Sequence, residues 1–325
     1  MQALKVQQFF EKRLIYFIIA SIILGTLFGL YFPKAALALK PLVPVTLFIM
    51  LYPMMIGIQV EEIVKAVQNT RLILWSLLLN FIVSPLLGFA VARLLLANIP
   101  DFGVGLVLLA ATPCAGMVVG WTGMARGNTP MALVIVALSL VLSIITIPFT
   151  MMILAGTLVK INALAMLKGT LLVILIPLVL GSLTRRIILW RSGQTGLAKI
   201  RPLLSPTSML GMFAILFISL ALGADRILAR WESVFVAILA IIVFYVVQVV
   251  LSIWISERLG IAPENRTALV FSVVGKNVSL AVGLAAQFFS PLTVAMLAVN
   301  PLVQAPAMAW FLRWSLRRLP ERGEA

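Results

Sequence analysis

Apolar stretches alternate with short polar connections along the whole chain. Each stretch is close to the ~20 residues that a helix needs to cross a hydrocarbon core about 30 Å thick. The pattern predicts ten spans. The first five are Leu14–Phe32, Leu42–Val60, Leu72–Leu96, Val104–Met124 and Ala132–Leu154. The second five are Leu167–Ile187, Leu203–Gly223, Ser233–Ile255, Ala268–Phe289 and Leu292–Leu312. The connections hold Pro, Gly, Asn and charge, the residues that punctuate regular structure. Trp75, Trp190, Trp231, Trp254, Trp310 and Trp314 fall near span ends, where an amphipathic ring prefers the membrane interface. The first apolar run is too long for a cleaved signal and lacks a clean small-x-small site, so it is expected to be a retained span.

Composition agrees with this pattern. Of 325 residues, 62% are hydrophobic and 11% charged, where a soluble domain carries about a quarter charged residues. The net charge of +15 fits topology and anionic lipid better than nucleic acid, because the basic residues lie between the apolar blocks. The densest group is Arg185, Arg186, Arg191, Lys199 and Arg201. Basic residues concentrate at the N-terminus, after every even-numbered span and at the C-terminus. The positive-inside rule therefore places both termini in the cytoplasm of a multi-pass protein of the cell (inner) membrane, and an even span count satisfies it. A chain with one cysteine, Cys114, has no internal disulfide framework. With no histidine, His-ligated metal sites, His proton relays and Ser-His catalysis are unavailable.

Ten spans divide into two sets of five, residues 1–159 and 168–312, joined by 160–167 and followed by a cytoplasmic tail, 313–325. An odd number per half makes the second half enter from the opposite side, so the halves are expected to be inverted repeats. Both fourth spans are interrupted at mid-depth: the first at Pro113 and Gly116, the second at Gly275, Lys276 and Asn277. Proline removes a backbone donor and glycine loosens a helix. Matched breaks in two halves point to a transport site between them.

Ten acidic residues are present (Glu11, Glu61, Glu62, Asp101, Asp225, Glu232, Glu257, Glu264, Glu321 and Glu324), and each lies at a span end or in a connection. The membrane interior thus offers no carboxylate for Na⁺, for a proton or for aspartyl proteolysis, and an enzyme is not expected. Lys276 is the one charge deep within a span, where a cation costs at least ~2.5 kcal/mol and must face a cavity or a partner. It either takes part in transport or plugs the carbonyls of the broken helix. Cys114 reads either as a small buried hydrophobe or as a soft ligand for a thiophilic species. Asn80, Ser84, Ser139, Ser143 and Gln304 are neutral polar residues within spans, and Ser139 and Ser143 share a helix face. Each alone reads as an interhelical hydrogen bond. Asn277, beside the second break, and Gln304, between Pro301 and Pro306, carry more weight.

The segment Pro113-Cys114-Ala115-Gly116-Met117-Val118-Val119-Gly120-Trp121, with Ala125-Arg126-Gly127-Asn128, looks like the cysteine-bearing fourth span of arsenite-efflux permeases. Tyr52-Pro53-Met54-Met55, Leu79-Asn80-Phe81 with Ser84-Pro85-Leu86-Leu87, and Asn300-Pro301-Leu302-Val303-Gln304-Ala305-Pro306 are similar to that branch's second, third and last spans. Nearly the whole chain resembles the superfamily of bile acid:sodium symporters and arsenical-resistance permeases. The resemblance implies an all-α, ten-helix fold with panel and core domains, in which two broken helices cross near mid-membrane. It also implies a metalloid-transport role for Cys114. That branch carries glutamates in its ninth and tenth spans, where this chain has Ser279 and Gln304. The bile-acid branch builds sodium sites from a polar pair, a glutamate and a glutamine, where this chain reads Val118-Val119, Ser272 and Lys276.

The expectation is a secondary transporter exporting arsenite or antimonite by alternating access. Pro113, Cys114, Gly116, Trp121, Asn80, Lys276, Asn277 and Gln304 are its candidate substrate residues, and Lys276, Ser139, Ser143, Ser272 and Ser279 its candidate coupling residues. No cofactor, metal site or nucleic-acid partner is expected; the partners are a small solute and the bilayer. A tethered ammonium at Lys276 would replace Na⁺ and make transport sodium-independent, whereas a titrating Lys276 would support proton exchange. The alternatives are a sodium- or proton-coupled carrier of a small organic anion and a passive channel.

Overall fold

The computed structural model describes residues 9–10, 13–57, 70–159 and 163–318. The expected end of the second span at Val60, part of the 160–167 connection and most of the tail lie outside these residues. Helices make up the regular structure: α1 Leu14–Tyr31, α2 Pro33–Ala38, α3 Val43–Ile56, α4 Thr70–Leu78, α5 Ser84–Leu95, α6 Pro100–Ala111, α7 Met117–Met124 and α8 Thr129–Ile153. They continue as α9 Ala163–Ala221, α10 Ala224–Leu228, α11 Ser233–Arg258, α12 Pro263–Val274, α13 Val278–Phe288, α14 Pro291–Ala298 and α15 Pro301–Leu316. Among the described residues there is no strand, and one isolated antiparallel bridge joins Cys114 to Lys276. Among the described residues seven helical stretches are long and apolar enough to cross a membrane: 14–31, 33–56, 70–95, 129–157, 164–221, 233–258 and 291–316; Pro100–Ala111 and Val278–Phe288 are shorter apolar helices.

The helices sort into two bundles. In one, α9 packs along α1 and α3. Gly25 and Gly29 let α1 lie directly on the α9 backbone, since a Cβ at Gly25 would stand 2.6 Å from Phe217 O. In the other, α5 packs on α6 and α11, α6 on α14, and α12 on α11 and α8. The segments nearest the breaks are the most enclosed: Phe102–Ala111 and Thr267–Val274 are buried throughout. Outward-facing positions are apolar as well, as at Ile23, Leu24 and Leu27 on α1 and Leu171, Leu172 and Ile176 on α9. A surface of that kind is at home against lipid tails.

Contacts identify two ends of the molecule. At one end Arg71 donates to Leu259 O, Asn128 Nδ2 to Asn265 Oδ1 (2.8 Å), and Arg266 and Arg318 share Glu257. At the other, Ser290 Oγ donates to Asp101 Oδ1 (2.6 Å) and Thr293 Oγ1 to Asp101 O (3.0 Å).

Three details differ from the expected spans. The expected polar connection between the sixth and seventh spans is helical on both sides of Gly193, where two helices, together labelled α9, meet at a kink (φ 58°, ψ −160°). Residues such as Arg191 and Lys199 accept a helix, and glycine alone adopts that backbone at little cost. The tenth block is not continuous, since α14 ends at Ala298 and α15 starts at Pro301. Val299 and Asn300 keep helical backbone, and it is the missing amide proton of Pro301 that interrupts the hydrogen-bond ladder. The third block is wound as a π-helix over Leu79–Val83, where Ser84 N reaches Leu79 O. The next carbonyl in that register, Asn80 O, would need the amide of Pro85, which has no proton.

Candidate functional site

The fourth and ninth blocks break at 112–116 and 275–277, as the sequence predicts, and the two breaks meet. Ala115 N donates to Gly275 O (2.8 Å) and Asn277 N donates to Pro113 O (2.9 Å). A helix end in a low-dielectric interior leaves backbone groups that must find partners. Here each break supplies them to the other.

The remaining carbonyls are caught by side chains. Gln248 Nε2, from α11, donates to Val273 O (2.8 Å) and to Ser84 Oγ (3.1 Å), and Ser84 Oγ donates to Ala110 O (3.0 Å). One relay thus ties the ends of α6 and α12 together. Gln304 Nε2, from α15, donates to Lys276 O (3.0 Å) and Val274 O (3.2 Å), and Asn300 Nδ2 holds Gln304 Oε1 at 2.9 Å. Asn277 caps α13 by accepting from Leu280 N.

Lys276 is fully buried. Its Nζ donates to Asn80 Oδ1 (2.9 Å) and, at 3.4 Å, to Asn80 O and Thr112 O. Asn80 O is the carbonyl that the π-turn and Pro85 leave without a helical partner, and Thr112 O belongs to the first break. The ammonium therefore joins the third block to both broken helices through oxygen atoms alone. Among the described residues Lys276 has oxygen acceptors but no carboxylate partner.

Cys114 is buried, and its Sγ lies 3.1 Å from Ser139 Oγ on α8, which in turn donates to Val136 O. Both breaks border a cavity of about 440 Å³. Its wall includes Cys114, Gly116, Trp121, Lys276, Asn277, Ser279 and Gln304 from the second bundle. From the first bundle come Met54, Arg201, Ser205, Ser208, Met209 and Met212. Gly57 and Arg201, at the rim, are exposed. The cavity runs from the crossing toward the end marked by Arg71 and Glu257. Among the described residues its charged lining groups are Arg201 and Lys276, both basic, and the N-termini of α7 and α13 start at the crossing. Helix N-termini add positive potential, so the site suits a neutral polar or anionic solute.

The structure brings most of the expected residues together. Pro113 lies in the first break and binds Asn277 N; Gly116 and Trp121 line the cavity, Asn80 receives Lys276, and Ser279 Oγ lies 3.5 Å from Met212 Sδ. Ser139 touches the thiol. Ser143 and Ser272 stand apart: they bond within their own helices, to Leu140 O and Leu269 O, and neither lines the cavity. Gln248 and Asn300 were not singled out, although a lone amide in an apolar span and an Asn-Pro pair are both visible signals. Arg201 read only as a topology charge. Among the described residues no group of His, Cys, Asp and Glu could hold a metal ion.

Comparison with known proteins fits this geometry. The chain is 24% identical over 276 residues to "Arsenical-resistance protein Acr3" of Corynebacterium glutamicum, covering 81% of this chain and 74% of that one. It is 30% identical over 206 residues to the protein of the same name from Alkaliphilus metalliredigens, covering 57% of each. It is also 28% identical over 163 residues to rice "Probable sodium/metabolite cotransporter BASS2, chloroplastic", covering 50% of this chain and 39% of that one. The model of the sodium bile acid symporter family matches residues 44–230, more than half of the chain. With its apolar helices and paired breaks, the chain belongs to the sodium bile acid symporter family and is a multi-pass membrane transporter.

Proposed function

We propose that the chain exports arsenite or antimonite as a secondary carrier of the cell membrane. In this reading it has ten spans in two inverted five-helix repeats, with both termini cytoplasmic, and works by alternating access. The observation that carries the cargo is the placement of the lone thiol: Cys114 sits in the first break, on the cavity wall, at the point where the two broken helices pair. A thiol is a soft ligand matched to a trivalent metalloid, and the names of two relatives point the same way. The cavity's basic lining suits a neutral or anionic hydroxide of arsenic rather than a cation.

Transport in this reading is sodium-independent. Lys276 places its amino group among Asn80 Oδ1, Asn80 O and Thr112 O, a set of oxygen atoms of the kind an alkali cation would otherwise need. Its protons already satisfy them.

The test is arsenite resistance in cells that depend on this protein. Cys114→Ser is expected to abolish resistance while the protein remains in the membrane at normal amount; resistance that survives the change ends the proposal. A second reading, a carrier of a small organic anion, is favoured by Arg201 at the cavity rim and by a volume within the range of organic-ligand pockets. Saturable uptake of such an acid, lost in Lys276→Gln and spared in Cys114→Ser, would select it.

A further inference from the structure

The cavity reaches the crossing from the Arg201 end, and at the other end two ring-on-glycine contacts join the bundles. Phe288, at the end of α13, lies against Gly169 of α9. Pro291, at the start of α14, lies against Gly223, which follows α9. A Cβ built on Gly169 would stand 2.6 Å from Phe288 Cε1 and closer still to Cζ; one on Gly223 would stand 2.6 Å from Pro291 Cγ and closer to Cβ. Nearer the crossing, Gly283 of α13 packs on Leu47 and Met50 of α3. In each pair the two residues come from different bundles. The rings belong to the same end of the molecule as the Asp101–Ser290 contact, opposite the Arg201 rim.

Glycine is not needed here for its backbone angles, because neither Gly169 nor Gly223 has positive φ. Nor do these glycines hold one bundle together, as Gly25 and Gly29 do. What they provide is a flat surface onto which a ring from the other bundle can close. Two such contacts side by side make a seal that forms by approach of the bundles and opens by their separation, and neither ring contact is itself a hydrogen bond.

We propose that Gly169/Phe288 and Gly223/Pro291 form the gate on the Asp101 side, closed in this structure, and that the missing side chains at the two glycines allow it to close. The inference rests on the carrier reading but not on the identity of the cargo. Adding a methyl at both glycines props the gate open and shifts the population toward the state that faces the Asp101 side.

The test reads conformation without any solute. In a Cys114→Ser background, Ser279→Cys places a single thiol on the cavity wall, and an impermeant maleimide is applied to each face in cells and in inverted vesicles. The parent is expected to label mainly from the Arg201 face. Gly169→Ala with Gly223→Ala is expected to raise labelling from the Asp101 face about tenfold and to lower it from the other. Gly120→Ala, whose Cβ would meet nothing within 4 Å, serves as the control and should leave both rates alone. Phe288→Ala opens the same seal without adding volume, so it decides the matter if the alanine pair does not fold. Unchanged labelling in whichever of these variants folds overturns the gate while leaving the carrier intact. Equal labelling of the parent from both faces would instead count against alternating access itself.

Discussion

The two breaks pair backbone to backbone, yet they are built differently. The second, Gly275–Lys276–Asn277, is clamped on every side: Gln304 holds Lys276 O, Gln248 holds Val273 O just before the break, Lys276 reaches across to Asn80 and Thr112, and Val118 and Phe271 O crowd Gly275. The first, Thr112 to Gly116, is tied to it but opens onto the cavity, and a Cβ on Gly116 would meet nothing within 4 Å. One break is clamped by side chains, and the other is tied to it and carries the buried thiol on the cavity wall. The difference suggests that the clamped break sets the geometry and the open break meets the solute.

Substitutions ranked by expected effect would sharpen or break that contrast. The largest is Gly275→Ala, whose Cβ would stand 2.8 Å from Phe271 O and closer to a Val118 methyl. It should cost about 3 kcal/mol or prevent assembly, read as the thermal midpoint of detergent-purified protein. Gln248→Leu comes next: it leaves Val273 O without its side-chain donor and breaks the relay to Ala110 O, for about 1–3 kcal/mol. Gln304→Leu should cost less, about 1 kcal/mol, because backbone amides also reach Val274 O and Lys276 O. Gly116→Ala should lie within about 0.5 kcal/mol of the parent. If Gly116→Ala proved as damaging as Gly275→Ala, the contrast between the breaks would be wrong.

Much of the fold was legible because a bilayer imposes one block length, and the breaks were legible because Pro113, Gly116 and Gly275 interrupt apolar runs. The acidic residues within the described region do lie at helix ends, among them Asp101, Asp225 and Glu257. The sequence singled out Lys276 but not its acceptors as a set. Asn80 O is freed by a π-turn, which depends on Pro85 in a register that hydrophobic pattern does not record. Gln248 looked like any lone amide in an apolar span, since its partners lie on other helices. Ser143 and Ser272 illustrate the reverse: polar residues near the breaks whose hydroxyls fold back on their own helices. The ring-on-glycine seal joins residues more than sixty positions apart, beyond the reach of local patterning.

The central claim is that Cys114, at the crossing, carries the solute while Lys276 removes the need for sodium. The direct measurement is arsenite flux in proteoliposomes, with Na⁺ present or replaced by choline, for the parent and for Cys114→Ser. Serine keeps the size of the residue and can keep the contact with Ser139, so the thermal midpoint should hold. The account predicts equal flux with and without Na⁺ in the parent and none above background in Cys114→Ser. Flux that requires Na⁺, or that persists in Cys114→Ser, would contradict it.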